Sequence, residues 1–320
     1  MKGNIKDKFS VGPLMYSPAL NENLAQTIIS GRLGKGYSIA LCLEDTISDV
    51  LLPKAENQVV ETFKELYNFF KKQEGYLPKI FIRIRNPEQM ERVFFSIKKY
   101  QDILSGFIFP KYSIGNAKAY NDHFISIVKN TNRHLYIMPI LESSDLVELY
   151  SRTELLYRIK KEIDSVKDYV LNVRLGGNDF SNSFCVRRHI DETIYDIIPL
   201  ANLLSNIITI FSRDYVVSGP VWEFFDSVDN EWEQGLRKEI RKDLLNGLVG
   251  KTVIHPNQIP VVLDMMKVSK NDYEDAMTIL SWGEGLQVGK SYEGERMNEV
   301  KTNWNWAKKI ALLAEIYGVK

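Results

Sequence analysis

A (β/α)₈ barrel, also called a TIM barrel, is the fold class that the sequence predicts. The chain has 320 residues, which is long enough for one large barrel domain. Eight short segments rich in β-branched and apolar residues recur along it, and helix-period stretches separate most of them. Alternation of strand and helix predicts a parallel sheet, and eight such units predict closure into a barrel.

The predicted strands and the clearest helices follow from composition and periodicity. The strands are Val11–Ser17, Ser38–Glu44, Lys79–Arg85, Gly106–Lys111, His134–Glu142, Val170–Gly177, Asp214–Gly219 and Gly250–His255. The helices are Lys54–Lys72, Glu88–Gln101, Asn116–Lys129, Ile197–Phe211 and Glu231–Asn246.

Period-2 alternation predicts which face of each strand points into the barrel. In Lys79–Arg85, isoleucines occupy every second position, whereas Phe81, Arg83 and Arg85 occupy the opposite face. The apolar face of a barrel strand meets the outer helices, and the other face looks toward the barrel axis. The two arginines are therefore predicted to point inward.

Composition limits the classes of partner. Lys+Arg and Asp+Glu both total 41, and this balance argues against a nucleic-acid partner, which favours a basic excess. Cys42 and Cys185 form neither a disulfide framework nor a metal knuckle, and a reducing cytoplasm is expected. The N-terminal run lacks an apolar signal region. The most apolar helix, Ile197–Phe211, contains asparagine and serine, so we expect a buried helix and no membrane span.

The stretch after the eighth strand is longer than one closing helix needs. We predict a catalytic barrel over residues 1–270 and a C-terminal helical extension over residues 271–320. The extension is expected to form a lid or an oligomer contact, and packing against its own barrel is the alternative. The predicted elements here are a closing helix at Gln258–Lys267, a helix at Tyr273–Leu286, a Gly-marked break at Gly289–Gly294 and a last helix at Asn298–Tyr317.

Polar and charged side chains follow most of the predicted strands. Barrel enzymes act at the carboxyl ends of their strands, so these side chains should meet at one mouth. A single acid after a strand is usually a helix cap, but convergence of the whole set predicts a functional site. Its members are Ser17, Glu44, Asp45, Arg83, Arg85, Lys111, Glu142, Asn178, Asp179 and His255.

Two carboxylates from neighbouring strands predict a metal site. Glu142 ends its strand, and Asp179 follows the paired glycines Gly176 and Gly177, which let a ligand approach the backbone closely. Magnesium takes one or two carboxylates and keeps positions for water and substrate oxygens. The alternative for Glu142 is a cap on the helix that starts near Ser144.

The two predicted inward arginines need anions, because an unpaired buried guanidinium is unfavourable. Arginine grips carboxylates with two parallel hydrogen bonds. Internal pairing with Glu44 or Asp45 would satisfy one arginine. The second then predicts a bound substrate carboxylate.

Seven motifs in chain order resemble the citrate lyase β-subunit/HpcH–HpaI aldolase family. They are LMYSPALNENLAQ, IALCLEDTISD, IFIRIRNPE, GFIFPKYS, IMPILESSD, RLGGNDFSN and GKTVIHPNQI. The closing run EGERMNEVKTNWNWAKKI is similar to a divergent branch of carbon–carbon bond lyases associated with tellurite-resistance operons.

The resemblance implies a fold, a metal and roles for residues. It implies a (β/α)₈ barrel with a C-terminal helical extension, a trimeric or hexameric homo-oligomer, and Mg²⁺ (with Mn²⁺ able to substitute) on Glu142 and Asp179. Arg83 matches the family's substrate-binding arginine. Glu44 and Asp45 match its paired acids, one of which is expected to organise the general base, and Lys111 is expected to pair with them. The remaining predicted substrate contacts are Arg85, Ser17, Asn178 and His255.

Three departures from the family pattern alter charge at the mouth. Cys42 replaces the first acid of a DLED run, Arg85 replaces the asparagine of VRxN, and Asn178 replaces a common glutamate. The implied activity is cleavage of a carbon–carbon bond next to a carboxylate through an enolate, with a CoA thioester as one candidate substrate. The alternatives are a CoA-independent 2-oxo-acid aldolase and a non-catalytic ligand-binding subunit.

Overall fold

The computed structural model describes residues 4–282 and 287–320. The chain divides into two compact units, Met1–Val262 and Leu263–Lys320.

The first unit contains eight parallel strands. They run in the order β7-β6-β5-β4-β3-β2-β1-β8, and a parallel bridge between Gly219 and Lys251 joins the two ends of that order. The predicted (β/α)₈ barrel is thereby confirmed. The strands are β1 (Pro13–Pro18), β2 (Ser38–Cys42), β3 (Lys79–Arg83), β4 (Leu104–Phe109), β5 (Tyr136–Leu141), β6 (Val173–Leu175), β7 (Val217–Ser218) and β8 (Lys251–Val253).

Helices follow the strands and cover the outside of the sheet through amphipathic faces. Helix α3, for example, buries Val59, Phe63 and Leu66 and exposes the charged residues between them. The helices are α1 (Ile5–Phe9), α2 (Leu24–Ile29), α3 (Leu52–Phe70), α4 (Pro87–Ser96), α5 (Ala117–Lys129), α6 (Leu149–Ser165), α7 (Gly177–Ser183), α8 (Ile198–Phe211), α9 (Glu231–Leu245) and α10 (Gln258–Met266).

Alternation along the strands fills the barrel interior as predicted. Ala40, Phe81, Ile108 and Met138 belong to one buried apolar cluster, with Tyr16 packed against it. The strands are nevertheless shorter than predicted, and β3 ends at Arg83. The inward alternation therefore stops before it reaches position 85.

The second unit pairs two helices with a small hairpin. Helix α11 (Lys270–Ser281) packs on α12 (Val300–Tyr317), and β9 (Val288–Lys290) pairs antiparallel with β10 (Met297–Glu299). The hairpin occupies the region where the sequence predicts a Gly-marked break. Gly294 adopts a positive φ of 77° between the two strands, which glycine tolerates without steric cost.

The end of the predicted helix Tyr273–Leu286 falls at residues 283–286, outside the described residues. The predicted lid or subunit contact of residues 271–320 stays a prediction. Its own core consists of Ala276, Ile279 and Ala307, with partly buried Leu280, Trp282, Trp304, Trp306 and Ile310 around them.

None of the helices within residues 4–282 and 287–320 combines the length and the apolar composition that a membrane span requires.

Gly106 in β4 gives a test of the barrel register. It has a φ of +155°, and a Cβ at this position would lie 1.9 Å from the backbone oxygen of Tyr136 on β5. We expect Gly106→Ala to lower the free energy of unfolding by about 3 kcal/mol, because two paired strands must separate to admit the methyl group. Gly115→Ala is the matched control, since its Cβ meets only Ser113 Oγ, at 3.8 Å. Urea denaturation measures both, and equal stability of the two variants would contradict the register.

Candidate active site

A cavity of about 370 Å³ lies at the carboxyl ends of the barrel strands. Its lining comes from β1, β2, β3, β5, β6 and β8 and the loops that follow them. Six of the predicted site residues line it, namely Ser17, Asp45, Arg83, Glu142, Asn178 and Asp179.

Arg83, the last residue of β3, connects the acids of two other strand ends. It is only 6% exposed, and its Nη2 lies 2.8 Å from Oε2 of Glu44 and 3.1 Å from Oδ2 of Asp45. The same nitrogen donates to Oε1 of Glu142 at 3.2 Å. These anions outweigh the effect of burial and raise the pKa of Arg83, with Tyr16 and Glu142 as the leading contributions. The guanidinium therefore stays charged and holds three carboxylates.

Lys111 supplies a second cation to the same acids. Its Nζ lies 2.6 Å from Oε1 of Glu44 and 2.9 Å from Oδ1 of Asp45, and Asp179 is 3.9 Å away. The predicted pairing of Lys111 with the two acids is thus present. The residue adopts a positive φ of 47°, which is uncommon for a side chain other than glycine. In this conformation its backbone N–H donates to Oε1 of Glu142 at 3.0 Å.

Glu142 presents two different carboxylate oxygens. Oε1 accepts hydrogen bonds from Arg83 and from the backbone of Lys111. No donor among the described residues binds Oε2, which faces the backbone of Gly176. A Cβ on Gly176 would lie 2.1 Å from the Cβ of Glu142 and 2.5 Å from Oε2. Glycine is therefore required at this position so that the carboxylate can occupy its place.

The environment of Glu142 makes its ionised form less stable than that of an exposed glutamate. Burial and the negative charge of Asp179 raise the pKa of Glu142 to about 7, against the opposing effect of Arg83. A cation between the two carboxylates would relieve both unfavourable effects. The donor set of Glu142 and Asp179 therefore fits a hard divalent cation.

Glu44 and Asp45 have divergent pKa values although they are neighbours in the chain. Burial raises the pKa of Glu44, and its contact with Asp45 adds to that effect. Burial also acts to raise the pKa of Asp45, but the contact with Glu44, the hydrogen bond from Lys111 and the charge of Arg83 lower it to about 2. Asp45 is thus the member of the pair that remains ionised.

The structure does not bring every predicted residue to the cavity. Arg85 lies past the end of β3, donates to the backbone oxygens of Leu43 and Ile47, and pairs with Asp49. Neither Arg85 nor His255 is among the cavity-lining residues. His255 stacks on Phe225 with ring centroids 4.6 Å apart.

Glu44 and Lys111 reach the cavity only through their partners. Neither belongs to its lining. Both bind Asp45, which does line the cavity.

Sequence reasoning missed four polar residues of the lining, Tyr16, Thr46, Arg174 and Thr252. Arg174 lies on β6, where it pairs with Ile140 of β5 and Ser218 of β7. The signal that could have found it was a basic residue between two apolar ones, Val173 and Leu175, in a predicted strand. Tyr16 shows no such signal, because a tyrosine in a strand is commonplace.

A family model described as a carbon–carbon bond lyase of the TIM-barrel fold matches residues 5–319. No curated protein sequence matches the chain.

Solved structures match the chain over most of its length. CitE from Mycobacterium tuberculosis in complex with magnesium, acetoacetate and coenzyme A is 17% identical, with 96% of this chain and 99% of that chain covered and a TM-score of 0.61. The citrate lyase β-subunit from the same organism, complexed with oxaloacetate and magnesium, is 17% identical. The match covers 81% of this chain and 98% of that chain, with a TM-score of 0.52. RipC from Yersinia pestis is 14% identical, with 81% and 95% covered and a TM-score of 0.52.

The structural matches show a shared fold at these identities. Together with the family match, they confirm the resemblance carried by the seven motifs. The narrower branch associated with tellurite-resistance operons stays a prediction.

Replacement of Lys111 tests the charge balance of the acidic cluster. We expect Lys111→Met to lower the free energy of unfolding at pH 7 by about 1–2 kcal/mol, because Glu44 and Asp45 lose a shared cation. The pKa of Asp45 is depressed in the folded protein, so its stabilising contribution is present above its ordinary pKa and is lost as pH falls toward 2. The deficit of the variant should therefore shrink between about pH 4 and pH 2.

The control is Lys118→Met, which removes the exposed pair with Asp122. We expect that change to cost no more than about 0.5 kcal/mol. Thermal or urea unfolding across the pH range gives both values. A Lys111 deficit that stays constant down to pH 2 would argue against ion pairing as its cause.

Proposed function

Because the chain belongs to the family of carbon–carbon bond lyases with the TIM-barrel fold, we propose that it cleaves or forms a carbon–carbon bond next to a carboxylate with the help of Mg²⁺. The observation that carries this proposal is the arrangement of Glu142. Arg83 and Lys111 hold one of its oxygens, and the other is left without a protein donor beside Asp179.

The proposed Mg²⁺ ligands are Glu142 and Asp179. Both line the cavity, and two carboxylates with open positions for water and substrate oxygens suit this ion. The local charge balance also favours a bound cation. Four carboxylates are contacted by two cations, Arg83 and Lys111; the carboxylates are those of Glu44, Asp45, Glu142 and Asp179. The M. tuberculosis structures that share the fold hold magnesium together with oxaloacetate or acetoacetate, which supports the proposal.

Cleavage of a carbon–carbon bond next to a carbonyl leaves negative charge on an enolate oxygen. Bound Mg²⁺ supplies Lewis-acid polarisation of that oxygen. Arg83, which lines the cavity, would add a fixed positive charge beside that oxygen. Among the described residues its Nε has no hydrogen-bond partner, and its Nη1 contacts the Sγ of Cys42 at 3.9 Å. Donors that are held in position before the reaction lower the barrier without reorganisation.

Glu44 is the better proposed proton acceptor of the acidic pair. A general base acts best when its pKa lies near the working pH. Burial raises the pKa of Glu44, whereas Asp45 has a pKa of about 2 and stays ionised as a partner for Arg83 and Lys111. Glu44 does not line the cavity, so a water molecule would relay the proton past Asp45.

The cavity volume favours a compact reacting group. About 370 Å³ holds a 2-oxo acid or the acyl end of a longer molecule. A CoA-independent aldolase of 2-oxo acids is therefore the second candidate. Deuterium exchange into pyruvate, followed by proton NMR, tests this candidate. Cleavage of acyl-CoA substrates tests the first candidate, a lyase that acts on a CoA thioester.

The homo-oligomeric state and the cytoplasmic location of the protein stay predictions.

Replacement of the proposed ligands tests the metal site. We expect Glu142→Gln and Asp179→Asn each to weaken Mn²⁺ binding by at least about 10-fold, because each removes an anionic ligand. Electron paramagnetic resonance of free Mn²⁺ measures the binding. Asp145→Asn is the matched control, an exposed acid in the loop that follows Glu142, and it should leave the affinity unchanged. A wild-type affinity in both ligand variants would remove this metal site.

A second pair of variants tests the substrate-binding arginine. We expect Arg83→Lys to weaken pyruvate binding in the presence of Mg²⁺ by about 10-fold or more, because a lysine cannot reproduce the forked contacts of the guanidinium. Arg85→Lys should have little effect, since Arg85 binds loop carbonyls outside the cavity. Calorimetry compares the two. Equal losses would show that the wrong arginine is assigned, and no binding by the wild type would exclude this substrate class.

A further inference from the structure

Arg174 is a buried cation whose charge is balanced by no carboxylate of the described residues. It lies on β6, lines the cavity and is 1% exposed. Its Nη2 donates to Oγ1 of Thr252 at 2.6 Å, and its Nη1 donates to Oδ1 of Asn172 at 3.4 Å. The side chain of Tyr16 is close enough to interact with it electrostatically. Its Nε has no partner, and no carboxylate of the described chain forms an ion pair with it.

Each of the other buried arginines of the barrel has either a carboxylate that balances its charge or a full set of neutral acceptors. Arg83 contacts three carboxylates, and Arg188 lies 3.1 Å from Oε2 of Glu239. Arg152 also lacks a carboxylate, but its Nε, Nη1 and Nη2 all donate to backbone or amide oxygens. Arg174 therefore differs from Arg83 and Arg188 in lacking a carboxylate, although the Nε atoms of those two also have no partner among the described residues, and it differs from Arg152 in hydrogen bonding.

A structural role explains Arg174 poorly. Burial lowers the pKa of Arg174, yet a guanidinium keeps its proton in proteins. An uncompensated buried charge is strongly unfavourable, and Thr252, Asn172 and Tyr16 provide only neutral acceptors. Such a cation at the wall of a cavity is suited to an anion that arrives from outside.

We propose that Arg174, with Thr252 and Tyr16 beside it, forms an anion subsite that binds a carboxylate of the substrate inside the barrel. The subsite lies deeper than the acids of the mouth, because the side chains of Asp45 and Asp179 are 50% and 32% exposed. A substrate bound in this way has its carboxylate on Arg174 and its carbonyl oxygen toward Glu142. The inference rests on the proposed function for the identity of the substrate but needs no metal for binding of the carboxylate.

Ligand binding without metal tests the subsite. In EDTA, NMR titration with ¹³C-labelled pyruvate should give a dissociation constant for wild type that Arg174→Met raises at least about 10-fold. Arg174→Lys keeps a positive charge and should therefore lose less of the affinity for pyruvate than Arg174→Met. Methyl pyruvate, which lacks the charge, should bind wild type and Arg174→Met equally. Arg187→Met changes an exposed arginine in the loop after α7, and its affinity for pyruvate should equal that of wild type.

Two outcomes would overturn the subsite. One is equal affinity of wild type and Arg174→Met for pyruvate, and the other is the absence of pyruvate binding to wild type in EDTA. If Arg174→Met does not fold, Thr252→Val replaces it, because that change removes only the hydroxyl that orients the guanidinium. Wild-type affinity for pyruvate in Thr252→Val would then count against the subsite. Mn²⁺ binding at Glu142 and Asp179 is measured separately, so failure of the metal site and failure of the subsite give different results.

Discussion

The contact of one guanidinium group with three carboxylates organises the mouth of this barrel. Arg83 ends β3, and its Nη2 reaches Glu44 and Asp45 after β2 and Glu142 after β5. Without this cation the acids would repel one another in a partly desolvated space. With it they are held close together, and the strand ends that carry them are fixed relative to one another.

The different surroundings of the two carboxylate oxygens of Glu142 follow from that contact. Arg83 and the backbone of Lys111 both bind Oε1, which orients the carboxylate so that Oε2 lies against Gly176. The backbone conformation of Lys111 and the missing side chain at position 176 are therefore parts of one arrangement. Strained or restricted backbone positions of this kind concentrate at functional sites, where the surrounding structure stabilises them.

Tyr16 connects this cluster with the unbalanced cation deeper in the barrel. The guanidinium carbon of Arg83 lies 5.6 Å from the centroid of the Tyr16 ring, and the Tyr16 side chain is close enough to Arg174 for the two groups to interact electrostatically. The cavity thus has acids with a counterion near its opening and a cation without one further inside. A ligand with a carboxylate and a carbonyl group would complement both regions, which agrees with chemistry next to a carboxylate in a family of carbon–carbon bond lyases.

The sequence by itself determined the barrel and most of its mouth. Strand-length apolar segments with helices between them can satisfy their backbone only in a parallel sheet. Period-2 alternation then placed Arg83 on the inner face, because successive side chains of a strand point to opposite sides. Arg85 shows where this argument ends, since alternation holds only as far as the strand, and β3 stops at Arg83.

Only the tertiary structure decided which charges have partners. Arg83 and Glu142 are 59 residues apart in the chain, and Arg174 and Thr252 are 78 apart. Local pattern carries no information about such distant neighbours, so it could not distinguish the satisfied Arg83 from the unbalanced Arg174. Whether a buried charge is neutralised depends on the groups that closure of the barrel brings within a few ångströms of it, because electrostatic interaction falls with distance in space and not along the chain.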